Sequence, residues 1–215
     1  MRIRTLEELQ DTIDKEMAWR KRELTAVKAN ISGARNFAKE TALRSGITLL
    51  YAHWEGAVKN IAYYYLSYVS SLKLPYEKLT FNFFAISLRS EVDKFSTTSR
   101  ASQQTKIVCD IFERIQEKSS IPTEGVIRTN SNLNSELFKE ILHTVGFEVT
   151  EYESYFKLID EVLLNMRNKI AHGEQLTAIS LDEERYVEIH DKMFMLINRF
   201  SDEVSNAAIL KKYLK

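Results

Sequence analysis

The sequence predicts an all-α protein, an up-and-down helical bundle with inserted middle helices, and three observations carry that prediction. Every strong hydrophobic periodicity in the 215 residues is helical. Glycine occurs 6 times and proline 2 times, against typical usage of about 7% and 5%, which leaves too few turn-formers for a sandwich, a propeller or a glycine-cradled nucleotide fold. No internal repeat or low-complexity tract points to a solenoid or a linker. The length suits one core, so residues 1–215 are expected to form a single domain.

Thr5 followed three residues later by Glu8 is a capping-box pattern, and Leu6, Leu9, Ile13, Met17, Leu24, Val27 and Ile31 recur at helical spacing. A first long helix is expected to about Asn30, with Asn30 to Gly33 as its cap and turn. Phe37, Leu43, Ile47, Leu50, Trp54, Ala57, Ile61, Tyr65 and Val69 carry a second to about Leu72. Gly46 and Gly56 inside it each cost about 1 kcal/mol relative to alanine, a cost that close approach of another helix backbone would explain. Pro75 breaks the chain, and two shorter amphipathic helices are expected at about Phe81 to Phe95 and Ser102 to Lys118.

Ser119 to Asn134, with Pro122, Gly125 and several polar residues, reads as a mobile loop before a short helix from Ser135 to Gly146. Thr150 and Glu153 suggest a second capping box. Beyond it Tyr155, Leu158, Ile159, Val162, Leu163, Met166 and Ile170 form the stripe of a helix ending at Gly173, and Ser180 with Glu183 opens a last helix in the same way.

Lysine and arginine number 30, as do aspartate and glutamate, so any attraction for a polyanion must be local. The single cysteine, Cys109, excludes an internal disulfide, and the charged opening Met1-Arg2-Ile3-Arg4 lacks an export pattern, which suggests a cytoplasmic protein. The apolar stretch from Gly46 to Leu72 is interrupted by His53, Glu55, Lys59 and Asn60, so it reads as a buried helix and no membrane role is expected.

Chemistry has few handles. There is no phosphate loop, His-Glu-x-x-His, nucleophile elbow or spaced cysteine and histidine set, and neither a cofactor nor a metal is expected. The best candidate is Arg167-Asn168-Lys169-Ile170-Ala171-His172 near the end of the penultimate long helix. Arg167 and His172, five apart, lie about 7.5 Å apart along the axis and about 140° around it, whereas Asn168 and His172 share a face, so Asn168 is expected to orient the imidazole.

One copy is thus an awkward site, but two such helices meeting across a two-fold axis would gather both arginines and both histidines in one cleft. That set suits cleavage of RNA by its own 2′-hydroxyl: histidine carries protons near neutral pH, where His172 is expected to titrate, and arginine holds the phosphorane oxygens. The same residues also make an ordinary helix end, with cations on the dipole and a glycine cap. Chance supplies an arginine five before a histidine about 0.24 times in a shuffled chain of this composition. A second copy, Arg185 to His190, lies among carboxylates and reads as a solvated face.

Arg167-Asn168-x-x-x-His172 resembles the arginine, polar residue and histidine signature of the HEPN superfamily. Leu49-Leu-Tyr-Ala-His53-Trp54-Glu55-Gly56-Ala-Val-Lys59 resembles the second helix of bacterial RiboL-PSP-type HEPN-like nucleases. The resemblance implies a HEPN-like bundle that dimerises through its signature helices and a metal-independent endoribonuclease leaving a 2′,3′-cyclic phosphate and a 5′-hydroxyl. It implies Arg167 and His172 as the catalytic pair, Asn168 as the supporting residue, and a toxin or phage-defence role beside a cognate antitoxin or defence partner. His53, Glu55 and Lys169 are further supporting candidates, although His53 and Glu55, flanking the core Trp54, also fit a structural role. Arg2, Arg4, Arg20, Lys21, Arg22 and Lys28 would form a basic rim if they face the cleft. The alternative is a non-catalytic HEPN dimer that binds nucleotide, RNA or a protein.

Overall fold

The computed structural model describes residues 3–174 and 181–215, and every regular element among them is helical. Among these residues the only β pairings are two isolated bridges, Pro75 with Lys118 and Leu79 with Leu214. The elements are α1 (Leu6–Gly33), α2 (Phe37–Ser71), a 3-10 turn (Tyr76–Lys78), α3 (Phe81–Thr97), α4 (Ala101–Arg114), α5 (Ser135–Val145), α6 (Glu153–Lys157), a π-helical segment (Leu158–Leu164), α7 (Asn165–Ala171) and α8 (Glu183–Ile209). The π segment joins α6 to α7 without a break.

α1, α2 and α8 pack on one another, and α7 and α5 lie against α2. The expected stripe of α2 is buried from Leu43 to Val69, whereas Phe37 at its start is 79% exposed. Trp54 is core: its ring meets Phe138 of α5 edge-on at 4.9 Å, and Phe138 meets Tyr152 and Phe200 in turn. α3 and α4 sit on this core more loosely, with only Phe83 of α3 buried and no residue of α4. Among the described residues no helix is long and apolar enough to cross a membrane.

The local signals hold in some places and not in others. Thr5 and Glu8 form the full capping box, and Asn134 caps α5 by accepting from the Leu137 amide at 2.9 Å. The helix continues past Asn30 to Gly33, which is its last helical residue and not its cap; the cap is Ala34, and the residue of that turn with positive φ is Asn36 (φ 51°). The box expected at Thr150 and Glu153 does not form, because the chain turns tightly from Val149 to Tyr152 and α6 begins from Tyr152 without a side-chain cap. Ser180 lies outside the described residues, and α8 is capped by Asp182, which accepts from the Arg185 amide at 2.7 Å.

The glycines of α2 make room for side chains, not for a helix backbone. A Cβ on Gly46 would stand 2.6 Å from Ile31 Cδ1 and 2.7 Å from the Tyr186 ring, and one on Gly56 would stand 2.8 Å from Arg20 Nη2. The 119–134 segment is irregular, as expected, but it is fastened: Ile121, Ile127 and Leu133 are buried, Ser70 Oγ donates to the Ile121 carbonyl at 2.8 Å, and Tyr76 Oη accepts from the Ser120 amide at 2.8 Å.

Candidate functional site

α7 ends in a Schellman cap. The Gly173 amide donates to the Ile170 carbonyl at 3.0 Å and the Glu174 amide to the Lys169 carbonyl at 2.9 Å, with Gly173 at φ 77°. This stop leaves Lys169 and His172 exposed on the last turn. Arg44 of α2 clamps the same end by donating from Nη1 to the Glu174 carbonyl at 2.7 Å.

Arg167, half-buried, turns toward the bundle. Its guanidinium carbon lies 4.8 Å from the centroid of the Tyr51 ring of α2. Nη1 donates to Asn168 Oδ1 at 2.8 Å and Nη2 to the Ser131 carbonyl at 3.2 Å. Asn168 therefore holds the arginine, not the imidazole: its side-chain oxygen is drawn to the adjacent cation, and only its backbone carbonyl reaches the His172 amide, at 2.9 Å. A guanidinium carries five N–H donors, so two committed bonds leave three for a substrate oxygen.

Tyr51 is 2% exposed. The Glu55 carboxylate, one turn along α2, and the Leu133 backbone approach its hydroxyl without reaching hydrogen-bond geometry. Burial first, then Glu55, pushes the phenol well above its ordinary range, against the pull of Arg167. Glu55, half-buried, lies one turn from Tyr51 on the same face of α2.

His53, two residues from Tyr51, faces α1 instead. It is 3% exposed; Nδ1 lies 3.2 Å from Arg20 Nη1, and Nε2 lies 2.8 Å from Glu23 Oε2. A guanidinium only donates, so Nδ1 must accept and the ring proton sits on Nε2, shared with Glu23. Burial and the Arg20 charge hold this imidazole below its ordinary pKa. Arg20 in turn pairs with Glu16 at 2.5 Å, and that carboxylate also accepts from Asn60 at 2.6 Å and Trp19 at 3.2 Å. Burial would raise Glu16, but those hydrogen bonds prevail and hold it low. The cluster is a buried ionic brace between α1 and α2.

The rim expected on α1 is therefore thinner than its charges suggest. Arg20 is buried in the brace, Lys28 is paired with Asp191 at 2.8 Å, and Arg2 lies outside the described residues. Arg4, Lys21 and Arg22 are exposed. The second arginine and histidine pair comes apart: Arg185 is solvated and bound to Glu188 at 2.5 Å, but His190, expected on a solvated face, is buried against Tyr186 and Phe194. No group of three or more potential metal ligands occurs among the described residues.

Sequence reasoning missed Tyr51, Ser131 and Arg44. Tyr51 stands one helical turn before Glu55, a spacing that does place both on one face. Ser131 carries no local signal beyond the polar run around it. A family model described as RiboL-PSP-HEPN matches residues 15–206. No curated protein and no solved structure matches the chain.

Proposed function

The chain belongs to the RiboL-PSP-HEPN family, and from that premise we propose that it is a metal-independent endoribonuclease acting as a homodimer through α7. The observation that carries the reading is a positioned arginine, Arg167, half-buried on Tyr51 with two of its donors bound, five residues before an exposed His172. Arg167 lies within α7 and His172 is its C-cap, its amide still bonded to the Asn168 carbonyl, which supports a side-chain offset near the roughly 140° of a regular helix. A second copy supplies the missing geometry: a two-fold axis beside α7 presents each arginine to the other chain's histidine.

In that cleft one His172 takes the proton of the ribose 2′-hydroxyl, and the oxygen attacks the adjacent phosphorus. The P–O5′ bond breaks, and the other His172, protonated, delivers a proton to the departing oxygen. The products are a 2′,3′-cyclic phosphate and a 5′-hydroxyl. Arg167 binds the phosphorane oxygens where negative charge accumulates, and Asn168, accepting from Nη1, restrains the direction of its fork. Lys169, exposed beside the pair, adds charge at the mouth. A toxin or phage-defence role, with a partner that restrains or triggers the dimer, fits such an activity in a cell.

The test is cleavage of generic RNA in EDTA. Wild type is expected to cut and leave cyclic-phosphate ends, His172→Ala and Arg167→Ala to lose about 10²- to 10³-fold, and His190→Ala to keep the activity. Loss with His190→Ala but not with His172→Ala would overturn the assignment. RNA binding without cleavage by a folded dimer would make the protein a binding module.

A further inference from the structure

The contacts of Arg167 assign Tyr51 and the Asn130-Ser131 turn to the same device, and we infer that Tyr51 is a positioning residue whose ring, with the Ser131 carbonyl, sets the attitude of the Arg167 guanidinium. The inference rests on the nuclease reading for its consequence but on geometry alone for its content.

Three constraints act on the guanidinium from three parts of the chain. The guanidinium carbon lies over the Tyr51 ring of α2, 4.8 Å from its centroid, Asn168 of α7 accepts from Nη1 at 2.8 Å, and Ser131 accepts from Nη2 at 3.2 Å. The ring holds the cation in place but sets no direction for its N–H groups; two acceptors on different nitrogens set that direction. The three together leave one orientation.

The two supports from outside α7 are themselves held in place. Tyr51 is buried within α2 and cannot swing out. Ser131 is presented by two consecutive residues with left-handed backbone, Asn130 at φ 52° and Ser131 at φ 54°, a conformation that non-glycine residues adopt only where the surroundings hold them. Leu133, fully buried two residues on, anchors that turn. The aromatic face suits this task better than a carboxylate would. It attracts the cation without occupying any N–H, so the charge and three donors remain for the phosphate. The segment between α4 and α5 is thereby part of the site and not only a connection.

The experiment compares wild type, Tyr51→Phe and Tyr51→Leu by steady-state cleavage of a short RNA in EDTA, alongside nitrogen-15 NMR of the Arg167 Nε–H and its δ protons. In wild type those protons are expected to be displaced upfield by the ring below them. Tyr51→Phe keeps the ring and should retain both the displacement and kcat to within about threefold. Tyr51→Leu removes it and should lower kcat by about 10- to 100-fold with KM changed by less than about threefold, the signature of a misplaced group rather than a lost binding contact.

An undisplaced Arg167 signal in wild type overturns the inference, as does unaltered kcat in a folded Tyr51→Leu protein. Should Tyr51→Leu fail to fold, the wild-type and Tyr51→Phe spectra decide alone. If wild type cuts no RNA while its Arg167 signal is displaced and Tyr51→Phe retains it, the nuclease reading falls and the positioning role stands.

Discussion

Replacing Gly56 by alanine should destabilise the fold, although the same change in an open helix stabilises it. The helix-propensity gain is about 1 kcal/mol. Against it, the new Cβ would stand 2.8 Å from Arg20 Nη2 and 3.1 Å from Nη1, and the guanidinium has nowhere to retreat, since its side chain is 4% exposed and is bound to Glu16 and His53. Displacing it strands the partly buried Glu16 carboxylate and the His53 acceptor, and breaking a buried ionic contact costs about 3–5 kcal/mol.

The net loss is about 2–4 kcal/mol, or roughly 5–15 °C in Tm at about 2–4 °C per kcal/mol for a chain of this size. Thermal unfolding followed by circular dichroism measures it. Gly33→Ala is the control: it is the last residue of α1, with nothing within 4 Å of the added atom, and should be neutral or stabilising by less than about 1 kcal/mol. In an Arg20→Met background, Gly56→Ala should turn neutral or stabilising. If it costs as much there as in wild type, the obstruction is not the guanidinium and the reasoning fails.

Acid should weaken the protein through the same brace. His53 has its pKa lowered by folding, so its contribution is fully present above the unfolded value of about 6.5 and is lost as pH falls below that toward the folded pKa. Urea midpoints between about pH 7.5 and 5 should decline, and His53→Gln should flatten the decline; an unchanged slope in that variant assigns the acid sensitivity elsewhere. Gly173→Ala forces a Cβ into the left-handed cap of α7, at φ 77°, and should cost about 1 kcal/mol in a urea melt. By loosening the turn that carries His172, it should also reduce RNA cleavage more than it reduces RNA binding.

What the sequence reveals divides by range. The box at Thr5 and Glu8 and the stripe of α2 were legible because capping and amphipathicity act between residues three or four apart. The role of Asn168 was not, because its side chain chooses between a cation next door and an imidazole one turn on, and Tyr51 and Ser131, remote in sequence, decide where that cation lies. Arg20 reads as a solvent-facing charge on α1; only Gly56, an unexplained glycine on another helix, hints at the space kept for it. Thr150 looks like a cap until Tyr152, buried with Phe138, pulls the helix start two residues along. The candidate arginine and histidine stand out by their likeness to the family signature, since their spacing alone recurs at Arg185 and His190, but the surface against which Arg167 rests is assembled by tertiary contact.

The wide turn from Leu158 to Leu164 ends three residues before Arg167. Wound as an ordinary helix, those seven residues would hand the following stretch on with a different phase, and each residue of phase error swings a side chain by about 100°. The aim of the guanidinium is therefore written in chain length as well as in side-chain identity. A one-codon deletion inside the turn can be absorbed by regularising it, with Arg167 still above its aromatic neighbour, whereas the same deletion a few positions later would point the cation elsewhere while leaving the interior of the bundle intact.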